Sequence, residues 1–329
     1  MKKVNLAVVG ATGMVGEQII KILQERNFEC SNIYFFSSGR SAGTKLLFRE
    51  KTYVTEELTE ASFDKPIDIA LFAAGGAISD KYAPILAARG GVAIDNSSRF
   101  RMEPDVPLVV PEVNPDAIAS HSGIIANPNC STIQAVVALA PLHRTFGISR
   151  IIYSTYQAVS GAGMAGVKDL EDGLYGAAPV KFPHPIADNV LPQVDIFTDN
   201  GYTGEEMKMI NETRKILGAP QLKVTATCVR VPVSNGHSES INVEFENTIK
   251  LEDVTKVLQD APGVVFVNEI GQYPMAITAS GTDHVYVGRI RRDESAQNAI
   301  NMWVVADNLR KGAATNAVQI AELLIKQGL

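Results

Sequence analysis

The sequence predicts an α/β protein with two domains, an N-terminal domain on a parallel β-sheet and a second domain of the α+β class. In the first half of the chain, short apolar runs typical of buried strands alternate with segments of helical periodicity. In the second half, several strand-like segments follow one another with fewer helices between them, which favours a more antiparallel sheet. The length of 329 residues is enough for about two domains.

The N-terminal elements are predicted from their apolar patterns. Residues 4–9 form a short apolar run that stops at Gly10, as a buried strand does. In 14–26, apolar residues recur at helical spacing with polar residues between them. We predict further strands at 33–36, 67–73 and 92–94 and a helix at 85–89. Strands that alternate with helices imply βαβ units with right-handed crossovers.

In the second half, strand-like patterns cover 150–159, 223–231, 240–245 and 285–289, and residues 205–217 are amphipathic and helical. We predict that the tail, 295–329, forms two helical stretches separated near Gly312, the last of which returns to the first domain. One domain would then comprise 1–129 plus 313–329 and the other 130–312. The Gly- and Pro-rich stretch 161–192 is predicted to be a long loop region, and such loops in compact domains are often functional.

Composition argues against several classes of function. The 36 acidic residues exceed the 30 Lys and Arg residues, and the net charge of −6 argues against nucleic-acid binding. No apolar stretch approaches the ~20 residues needed to span a bilayer, so no membrane partner is expected. The three cysteines form no CxxC pair and have no paired histidines nearby, which argues against disulfides and against a metal site. We therefore expect a reducing, cytoplasmic setting.

The sequence GATGMVG connects the first predicted strand to the first helix. Its GxxGxxG spacing departs from the usual GxGxxG, but both provide a tight turn, close backbone approach to a pyrophosphate, and free N–H groups at a helix N-terminus. Because strand, loop and helix occur in the required order, we favour dinucleotide binding over a plain turn, and hence a Rossmann-type first domain. The predicted cofactor contacts in this loop are Gly10, Thr12, Gly13, Met14 and Val15.

The end of the second predicted strand indicates which dinucleotide binds. An NAD site would carry Asp or Glu there to bind the ribose hydroxyls. The sequence has FSSGRSAG instead, in which Ser38, Arg40 and Ser41 supply hydroxyls and a guanidinium. A carboxylate would repel a 2′-phosphate, whereas Arg40 and Ser38 can hydrogen-bond it. NADP is therefore favoured over NAD; the alternative for each residue alone is a polar surface loop.

Cys130 follows the sequence ANPN and precedes an apolar helical run at 133–142. Its thiol is therefore predicted at a helix N-terminus, where the macrodipole and free N–H groups stabilise a thiolate and lower its pKa. The same N–H groups can stabilise an oxyanion. The alternative is a small buried residue, which is how we interpret Cys30 and Cys228. The Asn-Pro-Asn segment that ends at Asn129 is typical of a rigid turn that presents a side chain.

A thiolate nucleophile needs a base. His237 lies in the small, polar segment VSNGHSE between two predicted strands, where a bound substrate could reach the imidazole. The remaining histidines lack comparable surroundings; they are His121, His143, His184 and His284. Arg230, at a predicted strand end, is a candidate carboxylate clamp because guanidinium binds carboxylate through two parallel hydrogen bonds.

Together these segments resemble the aspartate-β-semialdehyde dehydrogenase family. The resemblance rests on GATGMVG, SSGRSAG, DNSSRFR around Arg99, NPNCST, YQAVSGAG, the EExK segment at 205–208, and RVPVSNGHS. It extends over the full chain, and the combination is far more specific than any single motif. It implies that the second domain carries catalysis and dimerisation.

The resemblance implies a reversible oxidoreductase that converts L-aspartate 4-semialdehyde, phosphate and NADP⁺ to 4-phospho-L-aspartate and NADPH. In the cell the reaction would run toward the semialdehyde and onward to lysine by way of diaminopimelate, to threonine and to methionine. The implied assembly is a homodimer, or a tetramer as in some members.

Family roles carry over onto three groups of residues. The implied catalytic group is Cys130 as nucleophile, His237 as general acid/base, Gln157 as a positioning residue, and Asn129. The implied substrate contacts are Arg230 at the α-carboxylate, Glu205 at the amine, and Arg99 and Lys208 at the phosphate. The implied contacts to the nicotinamide end of the cofactor are Ser160, Gly161 and Asn308.

Three alternatives are weaker. N-acetyl-γ-glutamyl-phosphate reductase shares the two-domain plan, a nucleophilic cysteine and a histidine, but its acylated amine has no use for a carboxylate near a free ammonium. The EExK and RVPVSNGH segments therefore favour the aspartate family. Glyceraldehyde-3-phosphate dehydrogenase shares the thiol chemistry but resembles these motifs less. The pairing of Cys130 with His237 argues against a non-catalytic NADP-binding protein.

Overall fold

The computed structural model describes residues 3–267 and 269–328. It divides into two compact units, one comprising Met1–Pro128 and Ala313–Leu329 and the other comprising Asn129–Gly312. We number strands and helices in chain order and describe each unit separately. None of the helices in the described ranges is long and apolar enough to cross a membrane.

The first unit is built on a parallel sheet. Its described strands are β1 (Val4–Val9), β2 (Cys30–Ser37), β3 (Lys45–Phe48), β4 (Lys51–Val54), β5 (Glu56–Glu57), β6 (Ile69–Phe72), β7 (Val92–Asp95) and β8 (Ile124–Ala126). Its described helices are α1 (Met14–Glu25), α2 (Gly76–Ala88) and α8 (Thr315–Lys326), with 3₁₀ turns at Glu60–Asp64 and Pro115–Ser120. Six strands pair in parallel in the order β5-β2-β1-β6-β7-β8, and β3 and β4 form a separate antiparallel hairpin.

The core of the first unit combines both ends of the chain. Strand β1 is almost entirely buried, as is typical of a parallel strand covered on both faces. Ile19 and Leu23 of α1 share one apolar core with Leu6 of β1 and with Ile320 and Leu324 of α8. The C-terminal helix therefore completes the core of the N-terminal unit.

The second unit is built on a mixed sheet. Its described strands are β9 (Ile148–Gln157), β10 (Lys223–Arg230), β11 (His237–Phe245), β12 (Val264–Val267), β13 (Val285–Arg292) and β14 (Ala299–Ala306). Its described helices are α3 (Cys130–Phe146), α4 (Met164–Gly173), α5 (Gly204–Ile216), α6 (Leu251–Gln259) and α7 (Ala276–Ala279), with a 3₁₀ turn at Val159–Ala162 and a π-helical turn at Arg310–Ala314. In the order β10-β9-β11-β14-β13-β12, the two outer pairs are parallel and the three inner pairs antiparallel.

One face of this second sheet is covered by helices. Helices α3, α5 and α6 all contact the sheet, and α3 is buried along most of its length. On β9, Tyr153, Thr155 and Gln157 are buried while Tyr156 is exposed, as the two-residue period of a strand requires. The buried side of β9 faces the helices, since Tyr153 Oη lies 3.0 Å from Thr213 Oγ1 of α5. Gln134 Nε2 of α3 donates to the His237 carbonyl of β11 at 3.3 Å.

The predicted fold class is confirmed, with three corrections to individual elements. The first stretch of the tail is strand β14, because its β-branched and aromatic residues pair with both β11 and β13. The predicted loop at 161–192 contains helix α4. His237 is the first residue of β11 and is buried, so it does not lie in an accessible loop.

Candidate active site

Cys130 is the first residue of helix α3, directly after the Asn-Pro-Asn turn. Asn129 caps this helix, and its Oδ1 accepts hydrogen bonds from the N–H groups of Ser131 at 3.0 Å and Thr132 at 3.3 Å. The cap thus occupies two of the N–H groups at this helix N-terminus, where the sequence predicted free N–H groups for an oxyanion. Gly312 packs against Cys130, since a Cβ at 312 would lie 2.8 Å from the Cys130 Cβ.

The carboxylate of Glu205 joins several of the predicted site residues. Its Oε1 accepts from Asn129 Nδ2 at 2.9 Å and from Gln157 Nε2 at 3.0 Å, and its Oε2 lies 3.2 Å from Lys208 Nζ. Burial alone would raise the pKa of Glu205, but the Lys208 charge and the two amide hydrogen bonds lower it to about 2. Thr203 caps the helix and forms a capping box with Glu206, which fixes Glu205 in the first turn of α5.

A hydrogen bond from the backbone fixes the imidazole ring of His237 at Nδ1. The Ala158 N–H donates to His237 Nδ1 at 3.0 Å, so the proton of the neutral ring is on Nε2. Nε2 is buried and has no hydrogen-bond partner within the described ranges. Burial and, secondly, the Arg230 charge lower the pKa of His237 to about 3. The ring is therefore a neutral donor at Nε2.

Arg230 ends strand β10 and is buried. Its Nη1 donates to the Ala158 carbonyl at 2.6 Å, and its guanidinium carbon lies 5.8 Å from the centre of the Phe182 ring. Ala158 thus contacts Arg230 through its C=O and His237 through its N–H. Burial lowers the pKa of Arg230, against the charges of Glu205 and Cys130, which act to raise it.

Gly161 lies where Arg230 and His237 meet. A Cβ at this position would stand 2.9 Å from Arg230 Nη1 and 3.3 Å from His237 Nε2, so a larger residue would force both side chains to move. A cavity of about 390 Å³ opens beside it. Residues predicted at the site that line this cavity are Gly161, Arg230, Glu205 and Lys208.

Other residues that line this cavity were not predicted from the sequence. Lys181 and Phe182 come from the segment after α4, where Asp169 accepts hydrogen bonds from the N–H groups of both, at 2.7 and 2.9 Å. Asp195 also lines the cavity and lies 2.8 Å from Lys208 Nζ. The length of the predicted loop at 161–192 was the one sequence feature that marked the segment containing Lys181 as functional.

Two further buried carboxyl groups, those of Glu212 and Glu239, were not predicted from the sequence. Glu212 Oε2 accepts from the Asn129 N–H at 2.7 Å, which adds a second carboxylate to the turn before Cys130. Glu239 lies two residues after His237, and in the described part of the chain neither of its oxygens has a partner. Burial and, secondly, the Glu205 charge raise the pKa of Glu239 well above its ordinary range.

Ser160 and Asn308, predicted at the nicotinamide, bind each other. Asn308 Nδ2 donates to Ser160 Oγ at 2.9 Å, and Asn308 Oδ1 accepts from the Gly236 N–H at 2.9 Å. They therefore fix the backbone immediately before His237. Their contact with a cofactor stays a prediction.

The glycine loop of the first unit fits the pyrophosphate of a dinucleotide. Gly10 has φ +84°, and a Cβ there would lie 2.8 Å from the Ala73 carbonyl carbon. A Cβ at Gly16 would lie 2.1 Å from the Gly10 oxygen, so helix α1 can approach β1 only because glycine stands there. Gly13, the N-cap of α1, provides no side-chain cap, which leaves the N–H groups of the first turn for an anion.

The loop after β2 presents Ser38 and Arg40 at the surface. The Ser38 carbonyl accepts from the Ser41 N–H at 2.9 Å, and the Ser41 carbonyl accepts from Thr55 Oγ1 at 2.8 Å, which orders the loop. Glu57 of β5 also approaches it, with Oε1 2.7 Å from where a Gly39 Cβ would lie. Glu57 reaches the loop through strand pairing with Ser37, so a carboxylate lies beside the predicted 2′-phosphate site although none follows β2 in the sequence.

Arg99, predicted at the phosphate, pairs within the first unit with Asp80 Oδ1 and Glu103 Oε1, each at 2.5 Å. Its role in phosphate binding stays a prediction. Among the described residues no group of three or more His, Cys, Asp or Glu side chains is placed to hold a metal ion.

Comparison with known proteins gives matches over the whole chain. A family model described as semialdehyde dehydrogenase, NAD binding domain, matches residues 5–121, and one described as semialdehyde dehydrogenase, dimerisation domain, matches residues 139–311. Aspartate-semialdehyde dehydrogenase of Aquifex aeolicus is 53% identical, with 99% of each chain covered. The enzyme of Bacillus subtilis is 49% identical, over 99% of this chain and 98% of its own.

Solved structures give the same family. Aspartate semialdehyde dehydrogenase II of Vibrio cholerae, complexed with ASA, superposes with a TM-score of 0.97 at 48% identity over 100% of both chains. The Candida albicans enzyme with NADP superposes with a TM-score of 0.80 at 28% identity, over 98% of this chain and 99% of its own.

Proposed function

This chain belongs to the aspartate-semialdehyde dehydrogenase family, and on that premise we propose how its residues carry out the reaction of the family. It reversibly converts L-aspartate 4-semialdehyde, phosphate and NADP⁺ to 4-phospho-L-aspartate and NADPH, as part of the biosynthesis of lysine, threonine and methionine. The assignment of residues rests on one observation. The Glu205 carboxylate accepts hydrogen bonds from Asn129, the residue before Cys130, and also from Gln157 and Lys208.

Cys130 acts as the nucleophile of the reaction. Its thiolate attacks the aldehyde carbon of the substrate, and the carbonyl electron pair moves onto oxygen to give an alkoxide thiohemiacetal. His237 Nε2–H donates a hydrogen bond to that oxygen, because Nδ1 is engaged as an acceptor and the neutral ring has its only N–H at Nε2. The general acid/base role that the family resemblance implies for His237, including removal of the Cys130 thiol proton, stays a prediction.

The alkoxide expels hydride from the former aldehyde carbon, which leaves a thioester on Cys130. Bound NADP⁺ supplies the hydride acceptor. The residues that hold it are the glycine loop at 10–16, whose fit to a pyrophosphate is described above, with Ser38, Arg40 and Ser41 toward the 2′-phosphate. A phosphate oxygen then attacks the thioester carbonyl. The C–S bond breaks, which forms the acyl phosphate and releases the Cys130 thiolate.

Substrate recognition rests on opposite charges in one cavity. Arg230 holds the α-carboxylate of the semialdehyde, supported by the Ala158 carbonyl and the Phe182 ring. Glu205 faces the substrate ammonium and stays ionised at neutral pH because its pKa is about 2. Lys208, which also lines the cavity, binds the phosphate, and the family resemblance implies the same role for Arg99.

The second unit also provides the proposed dimer surface. On strand β9 the side chain of Tyr156 is exposed, and its ring packs 5.5 Å, centre to centre, from the ring of Trp303 on β14. Large apolar side chains at Ile270 and Tyr273 are exposed as well. We propose a homodimer through this surface, with a tetramer as a further assembly. No disulfide joins the described cysteines Cys30, Cys130 and Cys228, which supports a cytoplasmic location.

The test is a phosphate-dependent assay of NADPH formation with aspartate semialdehyde, compared with N-acetylglutamate semialdehyde. We expect Cys130→Ala to abolish turnover while NADP binding, measured by calorimetry, is retained. Cys30→Ala is the matched control, since it removes a thiol of the first unit and should keep full activity. Near-native turnover in Cys130→Ala, or faster turnover of the acetylated substrate, would contradict the proposal.

A further inference from the structure

Asp195 lies in the substrate cavity but has no part in the chemistry described so far. Its backbone is in the left-handed region, with φ 71°. Its Oδ1 accepts from the Ile196 N–H at 2.9 Å, and its Oδ2 lies 2.8 Å from Lys208 Nζ. One carboxylate oxygen thus accepts from the backbone, and the other faces the lysine.

Lys208 is thus held by two carboxylates, those of Asp195 and Glu205. They differ in how firmly they are fixed. The Glu205 side chain is 7% exposed and is also bound to two amides, whereas the Asp195 side chain is 39% exposed and has Lys208 as its side-chain partner. Asp195 is therefore the carboxylate that can leave Lys208 at lower cost.

We propose that Asp195 is the resident counter-ion of Lys208, which phosphate displaces when it binds, and that Asp195 thereby sets the affinity for phosphate. The inference rests on the proposed role of Lys208 as a phosphate ligand. A phosphate dianion that contacts the Lys208 ammonium competes with Asp195 for the same N–H donors and is repelled by its charge. Asp195 weakens phosphate binding without touching the reacting carbon.

The experiment replaces Asp195 by Asn. Asn tolerates the left-handed backbone and keeps an oxygen for the Ile196 N–H, so Asp195→Asn removes mainly the charge. We expect the KM for inorganic phosphate to fall by roughly three- to five-fold, as for loss of a partly exposed ion pair, with the KM for the semialdehyde unchanged. Asp188→Asn is the matched control, since Asp188 is exposed, has φ 55° and lies in the same connecting segment.

Lys208→Met separates this inference from the proposed function. If Lys208 binds phosphate, Lys208→Met raises the KM for phosphate, and adding Asp195→Asn to it no longer lowers that KM. An unchanged phosphate KM in Lys208→Met would overturn the role of Lys208 and this inference with it. If Lys208→Met behaves as expected but Asp195→Asn leaves the phosphate KM unchanged or raises it, only the inference fails. A rise confined to the semialdehyde KM would also overturn it, since Asp195 would then bind the substrate ammonium.

Discussion

The environment of His237 leads to a prediction that runs against the usual behaviour of histidine. Its surroundings lower the pKa of His237 from 6.5 to about 3, so the imidazole is neutral at pH 7. Burial is the larger cause and the Arg230 charge the second. We therefore expect His237 to remain neutral, with its proton on Nε2, throughout the range of about pH 5–8 in which histidine ordinarily titrates.

Imidazole ¹⁵N chemical shifts, measured by NMR on the free enzyme, test this directly. His237→Gln identifies the resonance, because its signal disappears in that variant. In kinetics, His237→Ala should lose roughly 10²–10³ in kcat, as for removal of one oxyanion donor, and His237→Gln should retain more because its amide still offers an N–H. A titration midpoint near 6.5, or a proton on Nδ1, would refute the reasoning.

The lowered pKa of His237 also makes the stability of the folded protein depend on pH. In the unfolded chain the His237 ring takes up a proton below about pH 6.5, whereas in the folded protein it does so only near pH 3. The contribution of His237 to the free energy of unfolding therefore falls as the pH decreases from 6.5 toward 3. His237→Gln removes this contribution. The thermal unfolding midpoint of the variant should therefore depend less on pH in this window than that of the wild type.

Two further variants test the substrate clamp and the cofactor loop. Arg230→Lys keeps the charge but loses the forked guanidinium, and should raise the KM for the semialdehyde by roughly ten-fold; an unchanged KM would remove Arg230 from the clamp. Arg40→Ala should lower the ratio of kcat/KM with NADP to that with NAD, and an unaltered ratio would contradict the placement of the 2′-phosphate.

Features encoded by a few neighbouring residues were predictable from the sequence. The glycine loop and the helix start at Cys130 each depend on a local pattern, namely a strand–glycine–helix order and an Asn-Pro-Asn turn before an apolar run. The parallel sheet followed from apolar strands alternating with helices. The family resemblance added Gln157 and Glu205, which no local pattern would have joined to Cys130.

Features that depend on long-range pairing were not predictable. The polar sequence around His237 reads as a loop, and only pairing of β11 with β9 and β14 buries the ring. The segment at 299–306 has no clear alternation, and its place between β11 and β13 made it a strand. Glu212 lies 83 residues from Asn129 in the chain, so its contact with the turn before Cys130 follows from the packing of α5 beside α3.

The position of α8 in the core of the first unit has a consequence for biosynthesis. Ile320 and Leu324 are translated after the whole of the second unit, yet they cover the same apolar surface as Ile19 and Leu23 near the start of the chain. The nascent N-terminal segment therefore emerges from the ribosome with that surface bare. That surface lacks its cover until α8 is made, and a premature stop before 315 would leave an aggregation-prone product even though every proposed catalytic residue had been made.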